Sequence, residues 1–135
     1  AWDFVAGEGR GIALTAINPG LIVGPVLGQV LGSSAGLVRR MLVGRDPLQP
    51  RYGLPVVDAR DVAAMHVLAL STPETEGQRI AAVAGSLWFC EIAQVLRAAY
   101  PDRRIATREA PALLLRALGL FDAEVRSLLP RLGQK

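Results

Sequence analysis

Cysteine and histidine are almost absent: Cys90 and His66 are the only ones in 135 residues. A lone cysteine excludes an internal disulfide, and together the two exclude zinc-type ligand spacing, so no metal site is expected. The same cysteine usage makes an intracellular, cytoplasmic setting the expectation. Aromatic residues amount to 5% and do not interleave with the basic ones. The arginines are scattered, the closest pairs being Arg39-Arg40 and Arg103-Arg104. A net charge of +3 and a pI near 9.7 therefore make a mildly basic chain, and no nucleic-acid partner is expected. No apolar run is long enough to span a bilayer before Arg, Asp or Gly interrupts it, so no membrane partner is expected either. The opening AWDFVAGEGRG lacks the basic-then-apolar order of a secretory leader.

What is abundant is apolar side chain. Hydrophobic residues make up 51% and the mean hydropathy is +0.33. A chain this short buries a modest share of its surface. Some apolar faces are therefore expected to meet a further domain, a second copy, or both.

The opening residues read as a helix tail, with Trp2, Phe4 and Val5 apolar and Gly7, Gly9 and Gly11 ending it. A beginning in mid-helix suggests a cut through a longer polypeptide. Residues 12–18 (IALTAIN) form a short, nearly continuous apolar run bounded by Gly11 and Pro19, the pattern of a strand buried on both faces in a parallel sheet. PGLIVGPVLG follows as a loop at that strand's carboxyl end, the place where open α/β sheets bind ligands. Ser33-Ser34 is expected to cap a helix that stops near Gly44. Arg45 and Arg51 flank a loop broken by Pro47, Pro50 and Gly53, and they read as solvated charge.

LPVVDAR (54–60) is expected to be a strand, with Asp61 capping the helix that follows. His66 on that helix reads as a satisfied, partly buried side chain. A turn from Thr72-Pro73 to Gly77 leads to a strand at QRIAAVAG. Ser86 then opens a helix in which Phe89, Ile92, Ala93, Leu96 and Tyr100 share one face, with Glu91, Gln94 and Arg97 opposite and Pro101 as its end. Cys90, beside the core-facing Phe89, reads as inert packing. Two short apolar helices, PALLLRALG and DAEVRSLLPRLG, close the chain. This order predicts α/β architecture with a largely parallel sheet and a helical last third.

The stretch GIALTAINPGLIVGP (11–25) resembles the extended short-chain dehydrogenase/reductase family, also described as NAD-dependent epimerase/dehydratases, in its dihydroflavonol 4-reductase and aldehyde reductase branch. Three further segments fall in the family's order. AWDFVAGEG is similar to the end of the helix that carries the family's catalytic tyrosine and lysine. LPVVDARDVAAMHVLAL resembles its strand and helix with an Asp-Val-Ala-x-x-His pattern, in which Asp61 has a structural role. SLWFCEIAQVLRAAYP resembles the later helix ending in Tyr-Pro.

The resemblance covers nearly all of residues 1–135 and implies the carboxyl-terminal half of such an enzyme. The implied fold is the last part of a Rossmann-like, doubly wound domain plus a small helical lobe on the substrate side. The amino-terminal dinucleotide-binding half is expected to be absent from this stretch. GEGRG follows a helix instead of opening one, so it fails as a phosphate cradle. Tyr52 is followed four positions later by Val56, and Tyr100 by Arg104, so the Tyr-x-x-x-Lys pair is lacking and no residue is assigned a catalytic role.

By resemblance, Asn18, Pro19, Gly20 and Leu21 run past the nicotinamide and its ribose, and Ser33 or Ser34 falls near the cofactor phosphates. Val23, Gly24 and Pro25 would shape the substrate-pocket wall. The implied cofactor is NAD or NADP, with NADP the favoured of the two. The implied reaction is reduction of a ketone or aldehyde, or oxidation of the alcohol. This stretch alone is expected to be inactive, because the cofactor carries the hydride chemistry and the protein must position it. Its partners would be a small carbonyl or alcohol substrate, the missing half of the same protein and a second copy in a homo-oligomer. The alternatives are a non-enzymatic dimerisation or regulatory module and a sugar-nucleotide epimerase or dehydratase.

Overall fold

The computed structural model describes residues 1–134. Two compact bodies form. One contains Ala1–Pro25 and Val56–Ala84; the other contains Val26–Pro55 and the chain from Gly85 onward.

In the first body, helix α1 (Trp2–Ala6) stops at Gly7, whose N–H reaches the carbonyls of Asp3 and Phe4. The apolar run then enters a sheet later than expected. Strand β1 (Ala16–Pro19) pairs in parallel with β4 (Arg79–Ala82), in the register Ala16↔Arg79 to Pro19↔Ala82. Ile12 remains outside the strand and exposed. Burial on both faces is not realised, since Ala16 and Ile17 are half-buried while Asn18 and Pro19 are exposed. Thr15 ties the strand's approach to the turn before β4: its hydroxyl donates to the Thr75 carbonyl at 2.8 Å.

Leu21–Val23, expected as loop, is instead a second strand, β2. It pairs in parallel with β3 (Gly53–Asp58), with Leu21 opposite Val56 and Val23 opposite Asp58. Three residues flanked by Gly20 and Gly24 are too few to show a periodicity. Helix α3 (Ala59–Leu70) follows β3 directly. Its cap is Asp58, not Asp61: the Asp58 carboxylate accepts the Arg60 N–H at 2.7 Å. Val57, Val62 and Ala82 form the core, with Ile17 and Met65 packed against it. The strand, the helix and the returning strand thus each supply one anchor, and that fixes the carboxyl end of β1.

In the second body, helix α2 (Ser33–Leu42) is capped by Gly32 instead of the serine pair, and its last turn buries Met41. It ends before Gly44, whose φ of +67° suits glycine. The expected helix start at Ser86 is also corrected. Gly85–Trp88 is strand β5. Helix α4 (Phe89–Ala99) begins one residue later, where the Glu91 carboxylate accepts the Trp88 N–H at 2.7 Å. Ile92 and Ala93 are buried and Phe89 and Leu96 half-buried, as the spacing requires, but Tyr100 is exposed.

Gln49 is the buried polar residue of this body. Its side-chain amide donates to the Ala106 carbonyl, and its backbone exchanges bonds with Arg108 and Ala110. Such pairing removes the cost of burying an amide. Helices α5 (Ala112–Leu118) and α6 (Ala123–Leu128) pack on each other. The Arg126 guanidinium bonds the Gly119 and Leu120 carbonyls, satisfying the end of α5. Across both bodies large apolar side chains stay exposed, Leu27, Val30, Leu70 and Phe121 among them. No helix of the described residues is long and apolar enough to cross a membrane.

Candidate functional site

The first body gathers Asn18 to Pro25 at the carboxyl ends of parallel strands. Asn18 and Pro19 close β1, and the Gly20 N–H extends that ladder to the Ala82 carbonyl at 3.1 Å. The Asn18 side chain is exposed and bonds to nothing among the described residues. Pro19 offers no N–H, and Gly20 has no Cβ to keep a ligand away from the backbone. The chain then turns into β2, where Leu21 and Val23 are half-buried and Ile22 faces outward.

Gly24 makes the next bend at φ +148°. A methyl group on it would lie 3.2 Å from the Ala59 Cβ and 3.5 Å from Asp58 Oδ1. Its hydrogen is therefore what allows β2 to lie against the start of α3.

Asp58 is the charged group beside this bend. Arg60 donates to its carboxylate from Nε at 2.9 Å and from Nη2 at 2.7 Å. These side-chain bonds, and then the Arg60 backbone N–H, hold the Asp58 carboxyl at about 2, well below the usual 3.8. The bonds to Asp58 also push the Arg60 guanidinium up. A carboxylate this firmly ionised and engaged as a cap is a structural anion, not a proton donor at neutral pH. Asp61, the sequence-expected cap, is exposed on α3. His66 is satisfied as expected, its Nδ1 lying 2.7 Å from the Val62 carbonyl, but it is exposed instead of partly buried.

Ser33 and Ser34 lie in the second body, in the first turn of α2, the former exposed and the latter half-buried. Neither side chain caps the helix, so the capping reading is set aside. Arg51 does not stand alone: it pairs loosely with Glu109 at 3.7 Å and lies over the Trp88 ring.

Sequence reasoning missed an apolar cavity of about 420 Å3 within the second body. Leu37 of α2, Leu48, Phe89 of α4 and Leu115 and Leu118 of α5 line it. Arg40 and Asp46 stand at its wall in a bidentate pair, Nε–Oδ2 2.8 Å and Nη2–Oδ1 2.6 Å. Helical spacing marks each wall separately, but no local signal says that the walls surround space. Cys90, half-buried, follows Phe89 on α4.

No family model matches the chain. Individual proteins do. Ketoreductase azaE of Aspergillus niger is 34% identical over 123 residues, which is 83% of this chain and 35% of that protein. Cinnamoyl-CoA reductase 1 of Oryza sativa subsp. japonica is 36% identical over 92 residues, 68% of this chain and 27% of that one. Among solved structures, yeast methylglyoxal/isovaleraldehyde reductase Gre2, complexed with NADPH, matches with a TM-score of 0.66. Its identity is 26%, over 79% of this chain and 34% of that one. The chain thus spans about a third of the length of the curated relatives it matches, or somewhat less.

Proposed function

The chain belongs to the extended short-chain dehydrogenase/reductases, in their dihydroflavonol 4-reductase and aldehyde reductase-like branch, and on that premise we propose that it is the carboxyl-terminal, substrate-side portion of an NADPH-dependent reductase of a ketone or aldehyde. The observation that carries the proposal is the exposed Asn18-Pro19 pair followed by half-buried Gly20, at the carboxyl end of a strand in a parallel ladder.

That segment fits a nicotinamide nucleotide. Gly20 has no side chain to block close approach, and the exposed Asn18 has an unused amide. Asn18, Pro19, Gly20 and Leu21 would hold the ring and ribose. When bound, the nicotinamide supplies hydride. The chain's own residues position and exclude: Pro19 fixes the direction of the lip, while Val23, Gly24 and Pro25 wall the substrate side and keep water from the carbonyl. The NADPH in the yeast structure supports the choice of NADP over NAD.

The test is calorimetry with NADPH on two samples. The 135 residues alone should bind feebly and turn over no carbonyl substrate. Joined to a family amino-terminal half carrying the glycine-rich loop and the Tyr-x-x-x-Lys pair, they should bind it, and Asn18→Ala should weaken that binding. Tight NADPH binding by the 135 residues alone contradicts the proposal. So does a joined protein whose affinity ignores Asn18.

A second reading, a non-enzymatic association module, draws support from the exposed Val67 and Leu70 of α3. Sedimentation at high concentration decides it, since a clean monomer removes its basis.

A further inference from the structure

The apolar cavity of the second body is not isolated. A second recess, of about 550 Å3, shares four walls with it: Ala110, Leu115, Leu129 and Leu132. The two spaces differ in chemistry. The first is walled mainly by leucines and Phe89. The second carries Arg51, Glu109 and Arg116. Two guanidinium groups there face one carboxylate. Glu109 engages Arg51 only at 3.7 Å, beyond hydrogen-bond length, and Arg116 makes no ion pair among the described residues.

The carboxylates elsewhere along the walls are already committed. Asp46 is held by Arg40, and Asp122 accepts the Val125 N–H at the start of α6. Among the described residues, the recess therefore holds two guanidinium groups against one carboxylate, beside a largely apolar space of ligand size.

We propose that these two adjoining recesses together bind a small amphipathic carboxylate, with its apolar tail among Leu37, Leu118 and Phe89 and its headgroup at Arg51 and Arg116. The apolar wall supplies most of the affinity through burial, and the arginines set the choice of an anionic over a neutral head. Arginine suits this role because its planar fork meets a carboxylate with two parallel bonds. The site lies within the second body and does not depend on the nicotinamide reading.

Octanoate, octanol and acetate, titrated calorimetrically into the full 135-residue chain, test the proposal. Octanoate should bind saturably at one site, octanol about tenfold more weakly, and acetate not measurably. Arg116→Gln and Arg51→Gln should each cost octanoate about fivefold and leave octanol unchanged. Both side chains are exposed, so circular dichroism should show both variants folded. Equal affinity for octanoate and octanol overturns the proposal. So does octanoate binding that ignores both substitutions, or no saturable binding by the folded chain. NADPH affinity, measured on the joined protein, is a separate quantity and does not bear on these outcomes.

Discussion

In the first body the work is done by backbone, and in the second by side chains. Between β1 and α3, short parallel strands end in a turn at Asn18 to Gly20, where Asn18 and Pro19 are exposed, and the supporting core is three residues, Val57, Val62 and Ala82. Between α2 and α6, helices contribute long apolar side chains that enclose space instead of filling it. The first arrangement tolerates little movement, because a strand's register sets every atom along it. The second tolerates more, because leucines around a cavity can change rotamer without breaking a hydrogen bond. A surface that must lie flat against a rigid ring suits the first design, and a chamber for a variable apolar group suits the second.

The largest expected effect sharpens this contrast. Met41 is 2% exposed, and Met41→Ala should cost about 3 kcal/mol in urea denaturation. Val57→Ala, in the smaller core, should cost about 2 kcal/mol. If the bodies open independently, amide exchange should quicken around each substitution alone. Exchange that quickens everywhere in both variants would erase the distinction. Next in size is Gly24→Ala, at about 1 kcal/mol, from a positive φ combined with the approach to Ala59. It should also move the amide resonances of β2 and the start of α3 and leave those of α5 and α6 in place.

Acid should then separate the bodies further. The Asp58 carboxyl is held at about 2 when folded against an ordinary 3.8. Its ionised form is favoured by folding, so its contribution is present above about 3.8 and disappears as pH falls toward 2. Asp58→Asn should flatten the stability profile across that window, and an unchanged acid limb would refute the role. The smallest effect is expected at Arg51→Ala. Its pair with Glu109 is long and exposed, so stability should stay within about 0.5 kcal/mol of the original.

Local sequence pattern reached some of this and not the rest. Helix α3 and most of α4 follow from apolar spacing, and β1 from an apolar run between Gly11 and Pro19. The two missed strands, β2 and β5, are three and four residues long, and β2 exists because β3 offers it an edge. Pairing of that kind is settled by residues distant in the chain. Cap positions moved for a related reason: Asp58 and Asp61 are equally good candidates in the sequence, and the end of β3 decides between them. At the candidate site, the lip was legible because proline and glycine advertise a change of direction. The chamber was not, since volume enclosed by Leu37, Leu48, Phe89 and Leu118 belongs to no single segment.

Cys90 is the only thiol in the chain, and it stands one residue from Phe89, a wall of that chamber. A maleimide dye would therefore attach at one position without mutagenesis. Its emission would report on the surroundings of α4 one residue beyond that wall.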